Sequence, residues 1–246
     1  MTKAIVKPSF REVVAVTTMN LDDLNLQFNA QRVGPMNFAG LRSADYGSGF
    51  KMPTMPQLVP LVYASLENQN YGTAQNVVQT IKSNWLTGNT GILYTQKGMF
   101  AQDNPQIENG LIVMDEKTLE AKLGKTENKG VIFSDDRNVR FTPYGFKRES
   151  QSASELAKNP GVIAFSGSVE NAEMLALSSE HYKPSPYFWA LTNVSGSQIR
   201  VAFLVSYNFD AGLDVCAVDS EHYEVRCSFG VSPVSVDAEG VAPKKQ

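Results

Sequence analysis

The chain is poor in the residues that most often carry chemistry. It has two cysteines and two histidines among 246 residues. Cys216 and Cys227 are too few for a small secreted scaffold stapled by disulfides, and this usage suits synthesis in a reducing compartment, the cytoplasm. They read as two free strand cysteines, with a cross-strand disulfide as the alternative. His181 and His222 stand without H-x-x-x-H or H-E-x-x-H spacing, so they read as loop histidines and no metal site is expected. The basic residues are scattered and the net charge is -3, so no electrostatic footprint for nucleic acid or anionic lipid is present. No stretch approaches the roughly 18 apolar residues of a membrane-spanning helix. The opening MTKAIVKPSFREVV has no apolar core of a signal peptide. The glycines between Gly88 and Gly98 match no phosphate-binding loop. Asp135 and Asp136 beside Arg137 read as a solvated turn with a local ion pair. Asn193-Val194-Ser195 is a formal glycosylation sequon of a kind that arises by chance.

What is present is an ordinary globular composition, 42% apolar and 19% charged, with no internal repeat and no linker. One domain over 1–236 is expected, followed by a disordered tail at 237–246. Residues 10–18 are rich in β-branched types and predict a strand. Gly34-Pro35 signals a turn. Pro53 holds Met52 extended, and Thr54 with Gln57 forms a capping box for a helix bearing Leu58, Leu61, Val62 and Leu66. Pro60 should bend that helix near its start. A second helix is expected from Thr73 to Trp85, with Val77, Val78, Ile81 and Trp85 on one face. Short strands and turns follow at ILYT, GLIVM, GVIFS and NVRFTPYG. Short helices are expected at Glu116 to Leu123 and at Ser152 to Lys158, the latter with a Ser152–Glu155 capping box. GVIAFSG reads as a buried strand, and residues 187–231 as a β-meander.

Two segments carry a family resemblance. Gly49-Phe50-Lys51-Met52-Pro53-Thr54 followed by a helix resembles the "G-W-R-L-P-T, then helix" segment of C-type-lectin-like domains, in the branch that includes the formylglycine-generating enzymes. Tyr187-Phe188-Trp189 and Tyr223-Glu224-Val225-Arg226-Cys227 resemble that branch's closing segments. The resemblance implies an α+β fold with a small antiparallel sheet, two main helices and a long central insertion at about 86–180. It also implies that the last strand returns beside the first. Calcium-dependent sugar binding in this fold uses E-P-N or Q-P-D and W-N-D triplets, and none occurs here. The copper-binding members use a closer cysteine pair than Cys216 and Cys227. No cofactor is therefore expected.

Several proteins of this fold are variable proteins of diversity-generating retroelements, viral receptor-binding proteins among them. Their diversified codons never yield Lys, Glu, Gln, Met or Trp. Residues 199–220 contain none of these five types, although strands avoid Lys, Glu and Gln in any case. The same window mixes aromatic, small and acidic residues, as adaptable binding faces do. The resemblance thus implies a non-catalytic protein that shows a diversified surface to an unknown macromolecule, a protein or a cell-surface receptor, with assembly onto a virus particle open to it. An enzyme of the formylglycine-generating type and a structural protein of a virus or surface layer are the rivals. Alternation places Tyr207 and Phe209 outward on one strand, and Asp214, Cys216 and Val218 outward on the next. Ala190, Thr192, Asn193, Asp210, Asp219 and His222 would rim the patch. Leu213, Val215 and Ala217 would face the core with Phe203, Val225 and Cys227, which leaves Arg226 outward. The run Tyr187, Phe188, Trp189 reads as core.

Overall fold

The computed structural model describes residues 8–13, 18–192, 194–206, 212–219 and 223–234. In chain order the elements begin with β1 (Phe10–Val13), β2 (Thr18–Leu21), β3 (Leu26–Met36), α1 (Phe38–Ser43), α2 (Met55–Glu67), α3 (Gly72–Ser83), β4 (Trp85–Tyr94) and β5 (Gly98–Asp103). Next come β6 (Gln106–Glu108), β7 (Leu111–Val113), α4 (Glu116–Lys122), β8 (Leu123–Asn128), β9 (Val131–Ser134), β10 (Val139–Pro143) and β11 (Glu149–Ser150). The last are α5 (Ala153–Leu156), α6 (Pro160–Ser166), α7 (Val169–Ser179), β12 (Tyr187–Phe188), β13 (Gln198–Val205), β14 (Asp214–Val218) and β15 (Arg226–Pro233).

All strands but β6 and β7 join one hydrogen-bonded sheet, whose main path runs β1-β2-β3-β15-β4-β13-β14-β12-β11. The pairings are antiparallel except for β12 with β14 and β15 with β4. β15 lies antiparallel to β3, so the last strand returns beside the first long one. It does not continue a meander from β14: β4 and β13 stand between β14 and β15. Of the expected strand at 10–18, Phe10–Val13 is β1, which pairs antiparallel with β2 from Thr18 onward, and 14–17 lie outside the described residues. Gly34-Pro35 lies inside β3 instead of ending it, as a cis peptide. The tail at 237–246 lies outside the described residues.

Helix α2 carries the main core on the sheet, with Met55, Leu58, Leu61 and Val62 fully buried. Burying each such side chain is worth about 1.5–3 kcal/mol relative to exposure. Its start is built as the sequence predicts, with a capping box in which the Thr54 N–H donates to Gln57 Oε1 at 3.0 Å. The next free amide, Met55 N–H, donates to Thr90 Oγ1 of β4 at 2.9 Å. Pro60 lies within the helix and has no N–H for the carbonyl of Pro56. That carbonyl accepts from Asn171 Nδ2 of α7 at 3.0 Å instead.

The segment read as a buried strand, GVIAFSG, is helix α6, and α7 follows it where no element was expected. Asn159 caps α6, Pro160 starts it and Gly167 ends it at φ 93°, so helical end signals outweigh an apolar run short enough for either state. The second helix stops at Ser83, and Trp85 begins β4 instead of ending α3. Behind α2, Thr90 Oγ1 donates to Asp103 Oδ1 at 2.7 Å, and Arg140 Nη2 donates to the same oxygen at 3.0 Å. Arg140 Nε then reaches the Ala164 carbonyl of α6 at 2.7 Å. This buried polar chain ties the start of α2 to β4, β5, β10 and α6. No helix among the described residues is long and apolar enough to cross a membrane.

Candidate binding face

Strands β13 and β14 form the platform of the site. Their register pairs Leu204 with Val215 and Ala202 with Ala217 on one side, and Phe203 with Cys216 and Val205 with Asp214 on the other. The first side is core: Ala202, Leu204, Leu213 and Val215 join the cluster of α2, and Ala217 packs against it. The second side carries a separate small cluster of Phe203, Val205 and Cys216, flanked by Trp85 and Val218. Above it opens a concavity of about 510 Å³, walled by Trp85, Trp189, Leu191 and Tyr223 and edged by Arg200, Asp214 and Asp219.

The structure places Asp214, Cys216 and Val218 on the concave side and Leu213 and Val215 toward the core, while Ala217 packs against the core and also borders the concavity. Cys216 is the floor of that side, buried beneath its neighbours, and Asp214 and Val218 are half-exposed. Ala190 and Asp219 lie on the walls. Thr192 is half-buried beyond Leu191 and does not line the concavity. Asn193, Tyr207, Phe209, Asp210 and His222 lie outside the described residues.

Four orientations differ from the sequence reading. Phe203 sits on the concave side, stacked on Trp85 with ring centroids 4.4 Å apart and 14° between planes. Strand parity places it there, because Phe203 pairs with Cys216. Trp189 is 51% exposed, while Phe188 beside it is buried, so the YFW run alternates instead of entering the core together. The Trp189 amide bonds the Val215 carbonyl at 2.9 Å, which fixes the indole beside β14. Val225 is 40% exposed, since β15 begins only at Arg226, and Arg226 is fully buried instead of outward. Its guanidinium carbon lies 5.1 Å from the Trp85 ring centre and 5.7 Å from that of Phe203, so the two rings cover it.

The electrostatics follow from these placements. Arg226 Nη2 donates to the Asp219 carbonyl at 2.7 Å, while Nε and Nη1 have no hydrogen-bond partner among the described residues. Burial lowers its pKa to about 10. Arg200 pairs with the Asp219 carboxylate and donates to Gln198 Oε1 at 2.7 Å. Asp214 accepts from the Trp189 indole N–H at 3.4 Å, and desolvation raises its pKa. Burial raises the Cys216 thiol well above its ordinary value and raises that of Cys227 too, and both cysteines are free. Burial thus disfavours the thiolate at both cysteines.

The remaining candidates fall elsewhere. His181 contacts Glu67 Oε1 at 3.1 Å on the helical side. Asp136 accepts from Ser134 Oγ at 2.6 Å and from Asn138 N at 3.0 Å, which organises the turn before β10. Arg137 lies over the Phe133 ring at 5.0 Å, not in a local ion pair. Trp85, Leu191, Arg200 and Tyr223 line the concavity without having been expected there, and Trp85 is the largest of them. Its spacing from Val77 and Ile81 is helical, so periodicity alone hides that the helix ends at Ser83 and that Trp85 begins β4.

No family model matches the chain, and no curated protein matches it. A solved protein described as accommodating massive sequence variation in Nanoarchaeota on the C-type lectin fold is similar in structure, with a TM-score of 0.50. The alignment covers 93% of this chain and 100% of that one, at 17% identity. The chain has the C-type lectin fold.

Proposed function

We propose that this chain is a non-catalytic binding protein, the variable protein of a diversity-generating retroelement in the formylglycine-generating-enzyme-like branch of the fold. The concave side of β13 and β14 meets a protein or cell-surface receptor. The observation that carries this reading is the two-sidedness of those strands. One side is locked into the α2 core, and the other opens as a concavity whose floor, Phe203, Val205 and Cys216, lies within residues 199–220, between aromatic walls supplied by Trp85, Trp189 and Tyr223 from outside that window. Such an arrangement lets side chains on the open side change while the backbone stays held by the other. Aromatic walls with acids at the edge are the composition of adaptable interfaces. The Nanoarchaeota protein is described as accommodating massive variation on this fold, which supports the same use here. The enzyme alternative has less behind it, since the two cysteines are free and their thiols are pushed up by burial.

Sequencing of the flanking DNA tests the diversification. A near-copy of codons 187–230 that differs mainly at adenines, beside a reverse transcriptase gene, is the expected result. An isolated gene with the same codons in every isolate would contradict it.

A further inference from the structure

We propose that the concavity receives an arginine side chain from a partner protein, with Asp214 as its counter-charge and Trp189 as its stacking surface. This deepens the binding-face reading and rests on it. The charges around the concavity single out Asp214. Arg200 is committed to Asp219 and Gln198, and Arg226 lies beneath the Trp85 and Phe203 rings. Asp214 has no cationic partner among the described residues, and its contact with the Trp189 N–H is long, 3.4 Å. It stands half-buried beside apolar wall, where an unpaired carboxylate is poorly solvated and gains most from a cation brought to it.

The neighbouring wall suits a guanidinium. Trp189 is half-exposed, one side of its ring is taken by Tyr187 at 4.4 Å, and its indole borders the concavity beside Asp214. A planar guanidinium can lie on an indole while its N–H fork engages a carboxylate, and its apolar stem can lie along aromatic wall. An ammonium has the charge without the plane. An acidic side chain would instead need the free nitrogens of Arg226, and these are closed off from the concavity. The volume, about 510 Å³, admits one long side chain with room for its backbone at the mouth.

The chain's two tryptophans, Trp85 and Trp189, both line the concavity, so intrinsic fluorescence reports on it directly. The test is a fluorescence titration of the full chain with N-acetyl-arginine methylamide, and in parallel with the citrulline and norleucine compounds, which are neutral. The expected result is a saturable change with the arginine compound at about tenfold lower concentration than with citrulline. Asp214→Asn, with its fold checked by circular dichroism, should remove that preference. Equal response to arginine and citrulline, or a preference that survives Asp214→Asn, overturns the proposal. A site that takes norleucine best also overturns it, while leaving the binding-face reading intact. No saturable response to any of the three overturns it as well, and the flanking DNA then decides the broader reading separately.

Discussion

At the scale of single residues, parity decides the site. Phe203 and Cys216 face each other across β13 and β14, so the largest apolar residue of β13 lies on the same side as the candidate site, not in the core. Size alone argues for the core, and it misleads here because the concave side carries its own small aromatic cluster. Arg226 is the second case. A strand arginine between apolar neighbours is expected to face water, yet two rings cover it, and that coverage cannot be read from local sequence. Glu155 offers a clean measurement on the opposite side of the account. Lys147 at 2.8 Å and the Ser152 amide and hydroxyl hold its pKa at about 2, from an ordinary 4.5. The folded value is below the unfolded one, so its contribution to stability is present above pH 4.5 and is lost as pH falls through about 2. In Lys147→Met, carboxyl chemical shifts should show Glu155 titrating at higher pH. An unchanged midpoint would remove Lys147 as the main cause.

At the scale of elements, the starts of two helices were the most legible part of the sequence. Both capping boxes, Thr54 with Gln57 and Ser152 with Glu155, are formed. Their information is local, confined to residues three apart, so no tertiary context is needed to read it. Thr54→Ala should cost about 1 kcal/mol in urea unfolding and leave the concave face unaltered. Helix α6 was equally signposted by Asn159, Pro160 and Gly167, but its apolar run masked them. The buried chain from Met55 through Thr90 and Asp103 to Arg140 was not legible, because its members come together only when β4, β5 and β10 pair. Arg140→Ala leaves Asp103 without its cation in the interior and should cost about 3–5 kcal/mol. A loss near that of a surface substitution would mean that the pair is solvated.

At the scale of the whole molecule, the fold was legible from its two ends and not from its middle. The Pro53-Thr54 entry to α2 and the closing strand β15 frame the sheet, and the likeness to a solved structure shows the C-type lectin fold. Residues 86–180 supply β4, which sits between β15 and β13, and α6 and α7, which pack on α2. No short motif announces these placements, because they depend on long-range pairing. The fold should stand without metal: elemental analysis should find none at stoichiometric level, and EDTA should leave the melting curve unchanged. A drop of many degrees would reveal a site that the side-chain chemistry does not suggest.

One side of β14 should tolerate change and the other should not, and paired thermal melts tell the two sides apart. The first variant combines Ala190→Ser, Asp214→Asn and Val218→Thr on the concave side, and the second is Val215→Ser on the core side. Changes away from caps and core usually stay within about 0.5 kcal/mol each. A hydroxyl in a fully buried valine site creates a void and an unpaired polar group, at a cost of a few kcal/mol. A nearly native melting temperature is expected for the triple variant and a clear fall for Val215→Ser. Equal falls in both would mean that the concave side is core, and that the binding face lies elsewhere.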